Sequence, residues 1–323
     1  MRTLRIISLV ALPIAAALIL AACRAPSATL RSDELPAFSP VALGPGERLK
    51  VVATTSIVAD VVQYVGGERI ALTTLMPLGA DPHAFEPTPQ NMASIADAHV
   101  VYASGAGLEA FLESLMAGAE AGNKTVHLSH GIALLALEEH EEEDHSHGDA
   151  DPHTWFDPNN VMVWVRHIQD TLSALDPARA AMYEANAAAY TKQLEELDTW
   201  IREQVLQIPP ANRKLVTDHT VFAYFAQRYG FEQVGALFPS VSTLASPSAK
   251  ELAELQDAIR AQGIKAVFVG KTVNPALSER VAQDTGARLV FVYTGSLGEA
   301  GSPGDTYLGM MRYNVAGIVS ALR

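Results

Sequence analysis

A single cysteine, Cys23, stands in 323 residues, so no intramolecular disulfide can brace the chain and buried apolar surface must hold it together. Basic residues are also in short supply. Against 36 acids there are 23 lysines and arginines, a formal net charge of −13, which repels nucleic acid and anionic lipid head groups and makes cations the natural partners. The chain has no H-E-x-x-H motif and no additional acid placed as an evident general base, so it lacks the usual marks of a zinc hydrolase. What it does have is length for about two domains and a hydrophobic fraction of 49%, enough for real cores.

Residues 1–23 read MRTLRIISLVALPIAAALILAAC. Two arginines precede an apolar run that ends in small residues, the layout of a secretory signal. Leu20, Ala21 and Ala22 before Cys23 resemble the lipobox of bacterial lipoproteins, which implies cleavage after residue 22 and diacylation of Cys23. Cleavage removes Arg2 and Arg5 and no acid, so −13 becomes −15 in the mature chain. Residues 23–47 are rich in Ala, Pro, Ser and Gly without a sustained period and read as a flexible tether.

From Leu49 onward short apolar runs alternate with helical patterns. LKVVATTS, ALTTLMP, HVVYASG and KTVHLS read as buried strands, and beyond residue 212 a second set follows in RKLVTD, FEQVGAL, IKAVFVG and ARLVFVYTG. The order predicts an α/β fold of two similar lobes with mainly parallel sheets, 48–175 and 209–323. Between them residues 176–208 read as one long rigid helix, with Asp176 placed to cap, Pro177 at the first helical position and Pro209-Pro210 at the end. At 1.5 Å per residue it would span about 48 Å and serve as a strut for both lobes. Parallel sheets bind ligands beyond the carboxyl ends of their strands, so the site is expected in the cleft between the lobes.

Ten histidines sort by their surroundings. His83 in PLGADPHAFEPTP, His153 in DPHTWFDP and His219 in TDHTVFAYF each occupy a connection leading into a helix. Three imidazoles on separate loops suit a mononuclear transition-metal site. Asp81, Asp151 and Asp218 stand within two residues of these histidines and are candidates to orient the rings; the spacing does not say which acid does so. His99, His127, His130 and His167 read as structural. His140, His145 and His147 lie in EEHEEEDHSHGDA, part of an acidic surface loop at 138–150 that is either a solvated face or an auxiliary collector of metal.

Together VVATTSIVADVVQYVGG, MPLGADPHAFEPTPQNM, DPHTWFDPNN, VTDHTVFAYFAQRYGF, TVNP and TYLGMMRYN resemble the zinc and manganese solute-binding lipoproteins of bacterial ABC importers, over nearly the whole mature chain. The resemblance implies a receptor, anchored outside the cytoplasm by its lipid, that gives a divalent metal to a permease and its ATPase, with ligands at His83, His153 and His219. Two departures stand out. Many members carry an aspartate ligand where this chain has Gly295, and often a glutamate where it has Gly270, which leaves the fourth ligand open and less negative charge expected near the cleft. Manganese receptors tend to have a glutamate at the position of His219, and imidazole suits Zn²⁺ better than Mn²⁺.

The expected function is capture of Zn²⁺ by a monomer, with no reaction catalysed and no nucleic acid bound. The alternatives are a manganese or iron receptor of the same fold, a three-histidine zinc hydrolase, and an adhesin role that could coexist with transport.

Overall fold

The computed structural model describes residues 35–109, 122–136, 150–238, 240–244 and 246–323. Cys23, the signal segment and His140, His145 and His147 lie outside the described residues. The first half contains β1 (Leu49–Ala53), α1 (Ser56–Gly66), β2 (Ile70–Thr74), α2 (Pro89–Asp97), β3 (Val100–Ala103), β4 (Thr125–His127) and α3 (Pro158–Leu175). After the long helix α4 (Ala180–Val205), the second half contains β5 (Lys214–Thr217), α5 (Ala223–Tyr229), β6 (Glu232–Ala236), α6 (Ala249–Gln262), β7 (Ala266–Gly270), α7 (Ala276–Thr285), β8 (Arg288–Val292) and α8 (Tyr307–Leu322).

Each half builds one four-stranded sheet, in the orders β2-β1-β3-β4 and β6-β5-β7-β8. Every pairing is parallel. Strand side chains alternate between faces, and the alternation sorts them into different cores. Leu49, Val51 and Ala53 of β1, Val100 and Tyr102 of β3, and Ala266 and Phe268 of β7 all join one large apolar cluster. Their neighbours Val52, Val101 and Ala103 pack with Leu75, Ile95 and Ala98 on the other face of the first sheet. Val267 and Val269 do the same with Leu255, Ile259 and Val281 on the second.

The large cluster runs through both halves because α4 feeds it along its length, from Tyr183 and Ala187 through Tyr190, Leu194 and Leu197 to Ile201 and Val205. The helix is shorter than the sequence predicts. Pro177–Arg179 form a separate 3₁₀ turn, and Asp176 makes no side-chain cap there; instead it receives a long hydrogen bond from Tyr183 Oη and faces Arg69. The α-helix proper has 26 residues, about 39 Å. Residues 35–47 also differ from the expected flexible tether. They form no helix or strand, yet Leu35, Phe38, Val41 and Leu43 pack on the large core, and Val41 N–H donates to Leu175 O.

Local signals set the helix starts. Thr88 and Asn91 form a reciprocal capping box on α2, and Ser248 and Glu251 form another on α6. Asp157 accepts from Asn159 N–H ahead of Pro158 at the start of α3. These caps place the loops that precede them, and the loops before α2 and α3 carry His83 and His153.

Candidate metal centre

His83 lies on the connection from β2 to α2, His153 on the stretch leading into α3, and His219 two residues beyond β5. Local geometry aims each one. Asp151 Oδ1 accepts the His153 backbone N–H at 2.8 Å and lies 2.8 Å from its ring Nδ1. Asp218 Oδ1 does the same for His219, at 2.7 Å to both the backbone nitrogen and Nδ1. An ionised carboxylate only accepts, so in both rings Nδ1 carries the proton and Nε2 keeps a lone pair for a cation. Asp81 acts on the peptide, its Oδ1 accepting His83 N–H at 3.0 Å.

The turn around His219 keeps this stretch in a loop ahead of α5, which begins at Ala223. Thr217 Oγ1 donates to His219 O, and Asp218 accepts from His219 N–H, so these groups are committed to a loop before the helix starts.

The three rings converge from both halves. Their centroids are 5.1 to 5.5 Å apart, and one nitrogen from each lies within 4.8 Å of the others. The Nε2 atoms of His83 and His153 are 3.2 Å apart. Two nitrogens bound to one tetrahedral zinc stand about 3.3 Å apart, so the spacing suits a shared ion. His153 and His219 are 1% and 3% exposed, and His83 is half-buried. Burial lowers the His153 pKa below that of an ordinary imidazole despite the opposing pull of Asp151, which favours the neutral form a metal requires.

The two glycines have clear steric roles. A Cβ on Gly295 would come within 2.6 Å of Pro82, the residue before His83. Any side chain there would therefore have to displace that proline. At Gly270 a Cβ would meet Thr294 Oγ1 at 2.3 Å and Asp218 Oδ2 at 3.0 Å, while the Gly270 backbone N–H donates to Asp218 Oδ2 at 2.6 Å. Lack of a side chain at 270 does not leave the end of β7 without an acid, because the Asp218 carboxylate occupies that space.

Other polar residues that join the halves near the site carry no local sequence signal. Tyr224 Oη donates to Asp151 O and accepts from Leu135 N–H. Trp155 Nε1 donates to Thr294 O, and Tyr307 Oη donates to Trp155 O. Arg228 lies 3.0 Å from Asp198 of α4 and 3.6 Å from Asp157 at the head of α3. The histidines read as structural lie elsewhere: His99 Nδ1 accepts from Lys50 N–H at 3.0 Å, and His167 Nε2 lies 2.9 Å from His130 O.

The family of the zinc-uptake complex component A, periplasmic, matches residues 51–321. The manganese-binding lipoprotein MntA of Halalkalibacterium halodurans is 38% identical over 278 residues, covering 86% of this chain and 89% of that protein. Solved structures share the fold, two of them as follows. The periplasmic zinc-binding protein TroA from Treponema pallidum superposes with a TM-score of 0.78 at 28% identity, over 86% of this chain and 99% of that one. The Mn-bound periplasmic metal-binding protein from Candidatus Liberibacter asiaticus gives 0.75 at 25% identity, over 86% and 100%. With two parallel-sheet halves and a match spanning both, the chain belongs to the zinc-uptake component A family and is a metal-receiving substrate-binding component of an ABC importer.

Proposed function

We propose that this protein captures Zn²⁺ outside the cytoplasm through His83, His153 and His219 and surrenders it to an ABC permease driven by its ATPase. The observation that carries the reading is the donor set. Among the described residues three imidazole nitrogens lie within 4.8 Å of one another with no carboxylate in the group, and nitrogen donors favour zinc over manganese, which prefers oxygen. Asp151 and Asp218 hold two of the rings in the metal-ready tautomer. The fourth position falls to water or a loop atom, since Gly295 offers no side chain.

In this proposal Cys23 carries the lipid anchor, the mature chain acts as a monomer, and His140, His145 and His147 collect metal for the main site. The lipoprotein name of the MntA relative supports the anchor. The family consists of transport components, so a hydrolase is not part of the proposal. Manganese as cargo is the second reading, favoured by the name of that same relative.

The deciding experiment titrates metal-free soluble protein lacking residues 1–22 with Zn²⁺ and Mn²⁺, alongside a variant with all three histidines changed to alanine. One tight zinc per chain, lost in the variant, is the expected result. Tight zinc retained by the variant would move the site elsewhere. Manganese bound more tightly than zinc would overturn the cargo.

A further inference from the structure

Of the three converging histidines, His83 alone is half-buried, so an ion among them has its open side toward the connection from β2 to α2. That connection is clasped by the second half in several places. Gly79 N–H donates to Ser296 Oγ at 2.9 Å, and the Pro82 ring fills the space beside Gly295. The third clasp acts directly on the histidine's own backbone. One oxygen of Asp81 accepts His83 N–H, and the other accepts the hydroxyl of Thr243, from the irregular segment that follows β6.

We propose that the Asp81–Thr243 hydrogen bond is a latch that sets how long the metal stays bound, an inference that rests on reading the three histidines as the metal site. A single carboxylate joins the peptide of one ligand to a hydroxyl of the opposite half. For the ion to leave on its open side, the segment carrying His83 must swing away from the second half, and this bond has to break first. The acceptor is a carboxylate in a half-buried setting, and hydrogen bonds to charged groups are the stronger kind. His153 and His219 are enclosed and held by acids of their own halves, so their positions do not depend on the latch. Thr243 is thus a positioning residue that acts on cargo retention through Asp81 and His83.

Thr243→Val keeps the shape and removes only the hydroxyl; Thr243→Ser keeps the hydroxyl and removes the methyl. Zinc-loaded wild-type and variant proteins are mixed with excess chelator in a stopped-flow instrument, and the release rate is read together with the association rate. Valine is expected to speed release about tenfold and leave association within about twofold, while serine releases zinc at nearly the wild-type rate. Release from the valine variant at the wild-type rate would overturn the latch, as would equal acceleration by serine. Thr243→Ala, expected to match valine, is the substitute should valine not fold. Failure of the underlying site looks different, because the wild-type protein itself would then show no tight zinc.

Discussion

His153 shows how one residue's surroundings govern its chemistry. Burial lowers its pKa while Asp151 opposes the shift. In the unfolded chain an imidazole takes its proton near pH 6.5, and the folded site resists protonation until the pH is lower. The metal-free protein should therefore lose stability as pH falls below about 6.5, and the contribution of His153 to metal binding should persist below that pH before protons displace the ion. A calorimetric pH series checks this. A loss of affinity from His153 protonation already near pH 7.5, followed by its ring NMR signals, would contradict it. Asp151→Asn should weaken metal binding about 10- to 100-fold, the usual cost of removing a carboxylate behind a ligating ring, with one metal per chain retained. Replacing His219 by glutamate tests the cargo: oxygen for nitrogen should lower zinc affinity and narrow its margin over manganese.

At the scale of elements, the contacts that matter are those between helices far apart in sequence. Asp198 on α4 accepts hydrogen bonds from Arg228, Tyr229 and Arg202. Burial pushes its carboxyl up, and these donors outweigh burial to hold it below the ordinary value. A carboxylate with a lowered pKa contributes stability at neutral pH, and that contribution disappears as the folded carboxylate is protonated in acid. Asp198→Ala should cost about 1–3 kcal/mol, measured as a fall in the urea midpoint at unchanged slope, and the loss should shrink toward zero in strong acid. Gly270→Ala should also destabilise, by about 1–3 kcal/mol, because its methyl group meets Thr294 and Asp218. These elements were visible in sequence where short apolar runs alternated with helical patterns, whereas the caps at Thr88, Ser248 and Asp157 emerged with the structure. The exception has a local cause: the start of α4 shifted because Pro177–Arg179 closed a 3₁₀ turn.

For the whole molecule, a single large core receives side chains from both sheets and from α4. The metal-free protein should therefore unfold in one step, with far-UV circular dichroism and tryptophan fluorescence giving the same midpoint. Two separated transitions would show that the halves fold independently. Zinc in large excess should raise the stability by an amount that grows with the logarithm of its concentration, about 4 kcal/mol at a thousandfold over Kd, and the triple-alanine variant should show no such rise.

The short apolar runs of the strands, the helical patterns between them and the loops around the histidines are local properties. They foretold the α/β order with parallel sheets and singled out His83, His153 and His219 as loop residues, because such patterns act over a few neighbouring residues. The roles of Gly270, Gly295 and Thr243 depended on the tertiary structure. A glycine in sequence says only that a side chain is missing, whereas folding brings Asp218 into the space beside Gly270 and Pro82 into the space beside Gly295. Asp81 and Thr243 are 162 positions apart, and no spacing rule reaches that far. Their bond exists because the fold brings the connection after β2 against the segment that follows β6.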